Sequence, residues 1–71
     1  MSFMVVRVEI GAFGEHVGEK QAVAINLPDR TTADAEAERL AKTREKHGYK
    51  REHGFWWFRD GERLFRLYVE G

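Results

Sequence analysis

Apolar and polar positions alternate at the start of the chain. Met4, Val6, Val8 and Ile10 interleave with Phe3, Val5, Arg7 and Glu9. A period of two over β-branched residues predicts a strand. The even positions are uniformly apolar, which assigns them to the core, whereas the odd ones begin apolar and end charged. Gly11 to Glu19 reads GAFGEHVGE, and its three glycines among mixed polar residues predict a loop. A second alternating run covers Gln21 to Leu27. It sets Val23, Ile25 and Leu27 on one face and Ala22, Ala24 and Asn26 on the other. The two runs together predict a long-looped hairpin.

Pro28 lacks the N–H that a sheet ladder needs and closes the second run. Beyond it the period changes. Ala33, Ala37, Leu40, Ala41 and Arg44 fall on one helical stripe. Thr31 or Thr32 stands where a helix is capped, Asp34, Glu36 and Glu38 come early, and Arg44, Lys46 and His47 come late. Gly48 takes the place of a terminating glycine. The stripe is mostly alanine, so this helix can lie close to a sheet but adds little buried area itself.

The last third carries the bulk. His53 to Arg59 and Arg63 to Val69 flank Asp60-Gly61-Glu62, and Asp-Gly is a strong hairpin signal. A turn at Asp60-Gly61 would pair Arg59 with Glu62, Phe58 with Arg63, and Trp56 with Phe65. Cross-strand partners share a face. One face of this hairpin then holds Trp56, Phe58, Phe65, Leu67 and Val69. The other holds His53, Phe55, Trp57, Leu64, Arg66 and Tyr68. The expected architecture is a single α+β domain over residues 1–71, a four-stranded antiparallel sheet with one helix on one face, in the order ββαββ.

One short helix covers one face only. The apolar face of the last hairpin is assigned to the helix, together with Met4, Val6, Val8, Ile10, Val23, Ile25 and Leu27. That leaves Phe3, Val5, Arg7, Glu9, Ala22, Ala24, Phe55, Trp57, Leu64, Arg66 and Tyr68 uncovered. A solvated sheet face is normally polar, and an aromatic one of this extent marks an interaction site. Either a partner covers it or the Gly11 to Glu19 loop folds over it through Phe13 and Val17.

Composition narrows the choice. Seventy-one residues without cysteine must be stabilised without disulfides or thiolate-bound metal, and oligomerisation is the support left to consider. Twelve basic residues balance twelve acidic ones, so no global field attracts polyanions, which disfavours a dedicated duplex-DNA binder. No apolar run approaches the ~20 residues of a membrane span. The start of the chain lacks the form of a secretory signal, and the lack of cysteine fits a reducing compartment, so a cytoplasmic location is expected.

Catalytic chemistry is hard to place. His16, His47 and His53 have no metal-ligand spacing. The only serine is Ser2, and no nucleophile stands in a pattern with a base. Gly11, Gly14 and Gly18 precede a strand rather than a helix, beside Glu15 and Glu19, unlike a phosphate cradle. No cofactor, metal or enzymatic activity is expected.

His53-Gly54-Phe55-Trp56-Trp57-Phe58 partly resembles the signature strand of RNA-recognition-motif domains, which reads basic-Gly-aromatic-small-aromatic. The resemblance implies that Phe55 and Trp57 stack on bases. It covers about six residues; Trp56 stands where the motif has a small residue, Asp60 replaces a further aromatic, and the family's second helix is missing. Two functions follow as expectations. The first is an interaction module, a homodimer or a subunit of a protein complex, using Phe3, Val5, Phe55, Trp57, Leu64, Arg66 and Tyr68. The alternative is single-stranded RNA binding through the same face by Arg7, Lys50, Arg51, Phe55, Trp57 and Arg66.

Overall fold

A computed structural model describes residues 2–71. Its elements are β1 (Phe3–Ile10), β2 (His16–Leu27), α1 (Arg30–Ala41), β3 (His47–Lys50), β4 (Phe55–Asp60) and β5 (Arg63–Glu70). The α+β class and the antiparallel pairing agree with the sequence pattern, but the sheet has five strands, in the order β2-β1-β5-β4-β3. The additional strand is β3. Its four residues, His-Gly-Tyr-Lys, are too short and too polar to show alternation, and they pair along β4 from His47 opposite Phe58 to Lys50 opposite Phe55.

Gly48 therefore does not end the helix. α1 stops at Ala41 with Lys42 as its cap, whose N–H donates to the Glu38 carbonyl. The N-terminal cap is Asp29 rather than a threonine. Its carboxylate accepts from the Thr32 N–H at 2.7 Å, satisfying one of the free amides of the first turn. That bond holds the Asp29 carboxyl below the usual carboxylate range.

β4 and β5 pair one residue further along each strand than the sequence suggested. Asp60 faces Arg63 and Phe58 faces Phe65, so Gly61 and Glu62 make the turn, with Gly61 at a φ of 66°. This slip changes the partners but keeps the parity of every position. The division of this hairpin into two faces accordingly stands: Trp56, Phe58, Phe65, Leu67 and Val69 lie toward α1.

β1 is turned over relative to expectation. It pairs with β5 as Val5 with Val69, Val6 with Tyr68 and Val8 with Arg66, so Phe3, Val5, Arg7 and Glu9 share the helix side. Met4, Val6, Val8 and Ile10 share the open side. The core beneath the helix is Val5, Phe58, Phe65 and Leu67 against Ala33, Ala37 and Ala41, with Phe3, Ala24, Leu27, Leu40, Trp56 and Val69 packed around it. Charged residues are tolerated on this side because α1, about 18 Å long, does not reach the end of the sheet. There Arg7 and Arg63 each stand 5.1 Å from the centre of the Phe65 ring.

β2 begins at His16, inside the stretch read as loop, and its twelve residues run against eight of β1 through three register irregularities. Asn26 takes a left-handed φ of 58° within one of them. These bulges break the simple alternation of β2. Ala24 and Leu27 reach the core, while Val23 and Ile25 stay exposed.

Candidate interaction surface on the open sheet face

Pairing places the open-face side chains in rows across the strands. One row runs from Gly48 on β3 through Trp57 and Arg66 to Val8. The next pairs Lys50 with Phe55, beside Tyr68 and Val6, and a third runs Arg59, Leu64 and Ile10. Val6, Val8, Ile10 and Phe55 are buried although no second layer among the described residues lies over them. Their cover comes from longer neighbours in the same plane. The Arg66 guanidinium sits 4.7 Å from the Phe55 ring centre, the Tyr68 ring is 5.3 Å away, and His53 stacks at 5.9 Å. Lys20 on β2 bonds Glu70 on β5 at 2.8 Å, so this ion pair bridges across β1.

Trp57 lies over Gly48. A Cβ added at Gly48 would come within 2.8 Å of the indole, so glycine is what lets the ring settle onto β3. Trp57, Leu64, Arg66 and Tyr68 remain partly exposed, and Met4 is more so. Phe55, at 6 % exposure and with Arg66 against its ring, offers no free surface for stacking.

The expected partner-binding residues thus divide. Trp57, Leu64, Arg66 and Tyr68 are brought together on the open face, with Phe55 beneath them. Phe3 and Val5 lie on the helix side, and Val5 is wholly buried. The expected RNA-binding set divides likewise. Lys50, Trp57 and Arg66 share the open face, Arg51 is exposed in the β3–β4 turn, and Arg7 lies on the helix side bonded to Gln21. Phe13 does not fold over the sheet; it stands 94 % exposed at the β1–β2 turn.

Arg59 belongs to the surface and was overlooked. It sits two positions from Trp57, so the period of the strand already put it on the same face.

The open face also carries an excess of cations. Among strand residues, Lys20, Lys50, Arg59 and Arg66 project from the open face, against Glu70 alone, which bonds Lys20. Lys50, Arg59 and Arg66 have no carboxylate partner among the described residues, whose ion pairs are Lys20–Glu70, Arg30–Asp34, Arg39–Glu36, Lys42–Glu38, Arg44–Asp60 and Arg63–Glu9. On the other side charge is mixed: Asp34, Glu36, Glu38, Asp60 and Glu9 each pair with a base, namely Arg30, Arg39, Lys42, Arg44 and Arg63. Arg63 bonds Glu9 at 2.6 Å and holds its carboxyl below the ordinary range.

Besides a shallow cleft at Leu40, Arg44 and Phe58, the helix side offers two more. One is lined by Arg7, Glu9, Gln21, Arg63 and Phe65, where the arginines cap Phe65 and are largely engaged. The other lies between α1 and β3–β4, where Tyr49 and Trp56 meet at 5.0 Å beside Asp34 and Glu38. Among the described residues no three His, Asp or Glu side chains group to hold a metal ion, and no helix is long and apolar enough to cross a membrane. Compared with known proteins, the chain matches no family model, no curated protein and no solved structure.

Proposed function

We propose that the chain is a small interaction module without catalytic chemistry, and that the open face of its sheet is the working surface. One observation carries the reading: Trp57, Leu64, Tyr68 and Met4 remain accessible beside the unpaired cations Lys50, Arg59 and Arg66, with no layer of the chain's own over them. Tryptophan, tyrosine and arginine are the side chains enriched at binding hot spots. The surface is broad and lacks an enclosed cavity, which suits a macromolecule better than a small ligand.

A symmetric homodimer and a complex with another molecule are supported unequally. Two copies stacked open face to open face present the same patch to itself. A two-fold axis passing near Trp57 would set Lys50, Arg59 and Arg66 of one copy against the same cationic patch of the other, and like charges opposed across an interface cost free energy. A dissimilar partner is the better-supported form.

The test is differential capture from a cell extract on the immobilised protein. The double variant Trp57→Ala, Arg66→Ala should lose the material held by the native chain, while Tyr49→Ala on the helix side should retain it. Equal retention by both variants rules out the open face.

A further inference from the structure

We infer that the occupant of the open face is a single-stranded nucleic acid; this rests on that face being the working surface and names its partner. The argument begins from charge. Net charge is zero, yet folding sends Lys20, Lys50, Arg59 and Arg66 to one side of the sheet and leaves a single strand carboxylate, Glu70, among them. Glu70 is bonded to Lys20. The remaining three cations lie around Trp57: Arg66 is its cross-strand neighbour, Arg59 is two positions along β4, and Lys50 lies on β3 opposite Phe55. Positions i and i+2 on a strand are about 7 Å apart and neighbouring strands about 5 Å, so the cations surround the indole at short range.

Cations alone fit any polyanion. The rings narrow the class. Trp57 and Tyr68 lie partly exposed between the cations, and every base offers a π face to such a ring whatever its sequence. An acidic peptide has the charge but no aromatic ring tied to each anionic group, as a nucleotide has. A duplex has its bases already stacked, and its major groove admits a helix or a two-stranded ribbon, not the face of a five-stranded sheet. Phe55 takes no part, because Arg66 already lies against its ring. The platform is therefore Trp57 and Tyr68, with Lys50, Arg59 and Arg66 on the phosphates.

The two tryptophans sit on opposite faces, which makes the test specific. Trp56→Phe leaves Trp57 as the sole indole, and Trp57→Phe leaves Trp56 beside the helix. Oligothymidylate and oligouridylate of about ten nucleotides should quench the first variant at low salt and not the second. The logarithm of the binding constant should fall against the logarithm of salt concentration with a slope of about −2, for three phosphates on a single strand. Arg66→Ala should flatten that slope by about 0.7. Trp57→Ala should weaken binding by about tenfold, measured by anisotropy of a labelled strand.

Polyglutamate binding as tightly as the oligonucleotide would overturn the inference, as would equal affinity for the matching duplex or unchanged Trp57 fluorescence with every strand. Concentration-dependent dimerisation abolished by Trp57→Ala would overturn it as well, while leaving the open face as a working surface. Only equal capture by the open-face and helix-side variants removes the underlying proposal.

Discussion

On the helix side of the sheet Phe58, Phe65 and Leu67 lie against Ala33, Ala37 and Ala41. On the open side Val6, Val8 and Phe55 are equally dry with nothing stacked above them. The first burial comes from a second layer, and its volume is provided almost wholly by the sheet because the helix contributes methyl groups. The second comes from long side chains lying along the sheet: Arg66 and Tyr68 against Phe55, Trp57 across Gly48, and the Lys20–Glu70 pair over β1. Low exposure alone does not separate a core from a surface. α1 shields its side as one rigid element, whereas the arginine and lysine side chains of the open face are held singly and can shift one at a time.

The comparison breaks first at its strongest point. Leu67→Ala should cost about 2 to 5 kcal/mol, comparable with the whole stability of order 5 kcal/mol for a chain of this size. The variant should be largely unfolded by circular dichroism at room temperature. Val8→Ala on the open side should cost about 2 kcal/mol if its in-plane cover works as a core does. A change near zero in a urea titration would show that cover to be loose. Ala37→Leu pushes bulk into the contact between α1 and the sheet and should cost about 1 to 3 kcal/mol, read as a lowered Tm. Gly48→Ala should shift the emission of Trp57 to the red in a Trp56→Phe background, because the added methyl displaces the indole, with a smaller fall in Tm.

The smallest effect is acid sensitivity. Asp29, Glu9 and Glu36 all have carboxyls held below the ordinary range, by hydrogen bonds from Thr32, Arg63 and Arg39 respectively. A depressed folded-state value means stability that is present above the unfolded-state value, near pH 4, and lost as pH falls through the folded one. Tm should be flat from neutral pH down to about 5 and decline below it. Asp29→Asn, which keeps a capping oxygen but cannot titrate, should reduce that decline.

Most of the strands were legible because their periods are clean. Asp60-Gly61 marks the turn of the last hairpin, no bulge interrupts Phe55–Asp60 or Arg63–Glu70, and an even slip of register left their faces intact. β1 was misread for a specific reason. Val6, Val8 and Ile10 form the more uniformly apolar set, yet the helix covers the set with Arg7 and Glu9, because α1 is too short to touch the charged end. A strand apolar on both faces does not tell which one a second layer will choose. β2 was misread because bulges change parity inside one run, and β3 because four residues hold too few periods. The candidate surface was legible at Trp57, Leu64, Arg66 and Tyr68. It was illegible at Phe3, Val5 and Arg7, which inherited the error on β1. The cationic excess of the open face could not be seen in a net sum of zero; it emerges only when strand parity and pairing are combined.

Both margins of the sheet are poor templates. β3 is four residues long, and β2 crowds twelve residues onto eight of its neighbour. β3 offers few backbone groups to an added strand, and the bulges of β2 interrupt the regular spacing that such a strand would pair with. Growth by lateral addition, the route to fibrils, is thereby obstructed at both ends. A small protein with aromatic rings exposed on one face is thereby hindered from polymerising strand by strand, whatever that face meets.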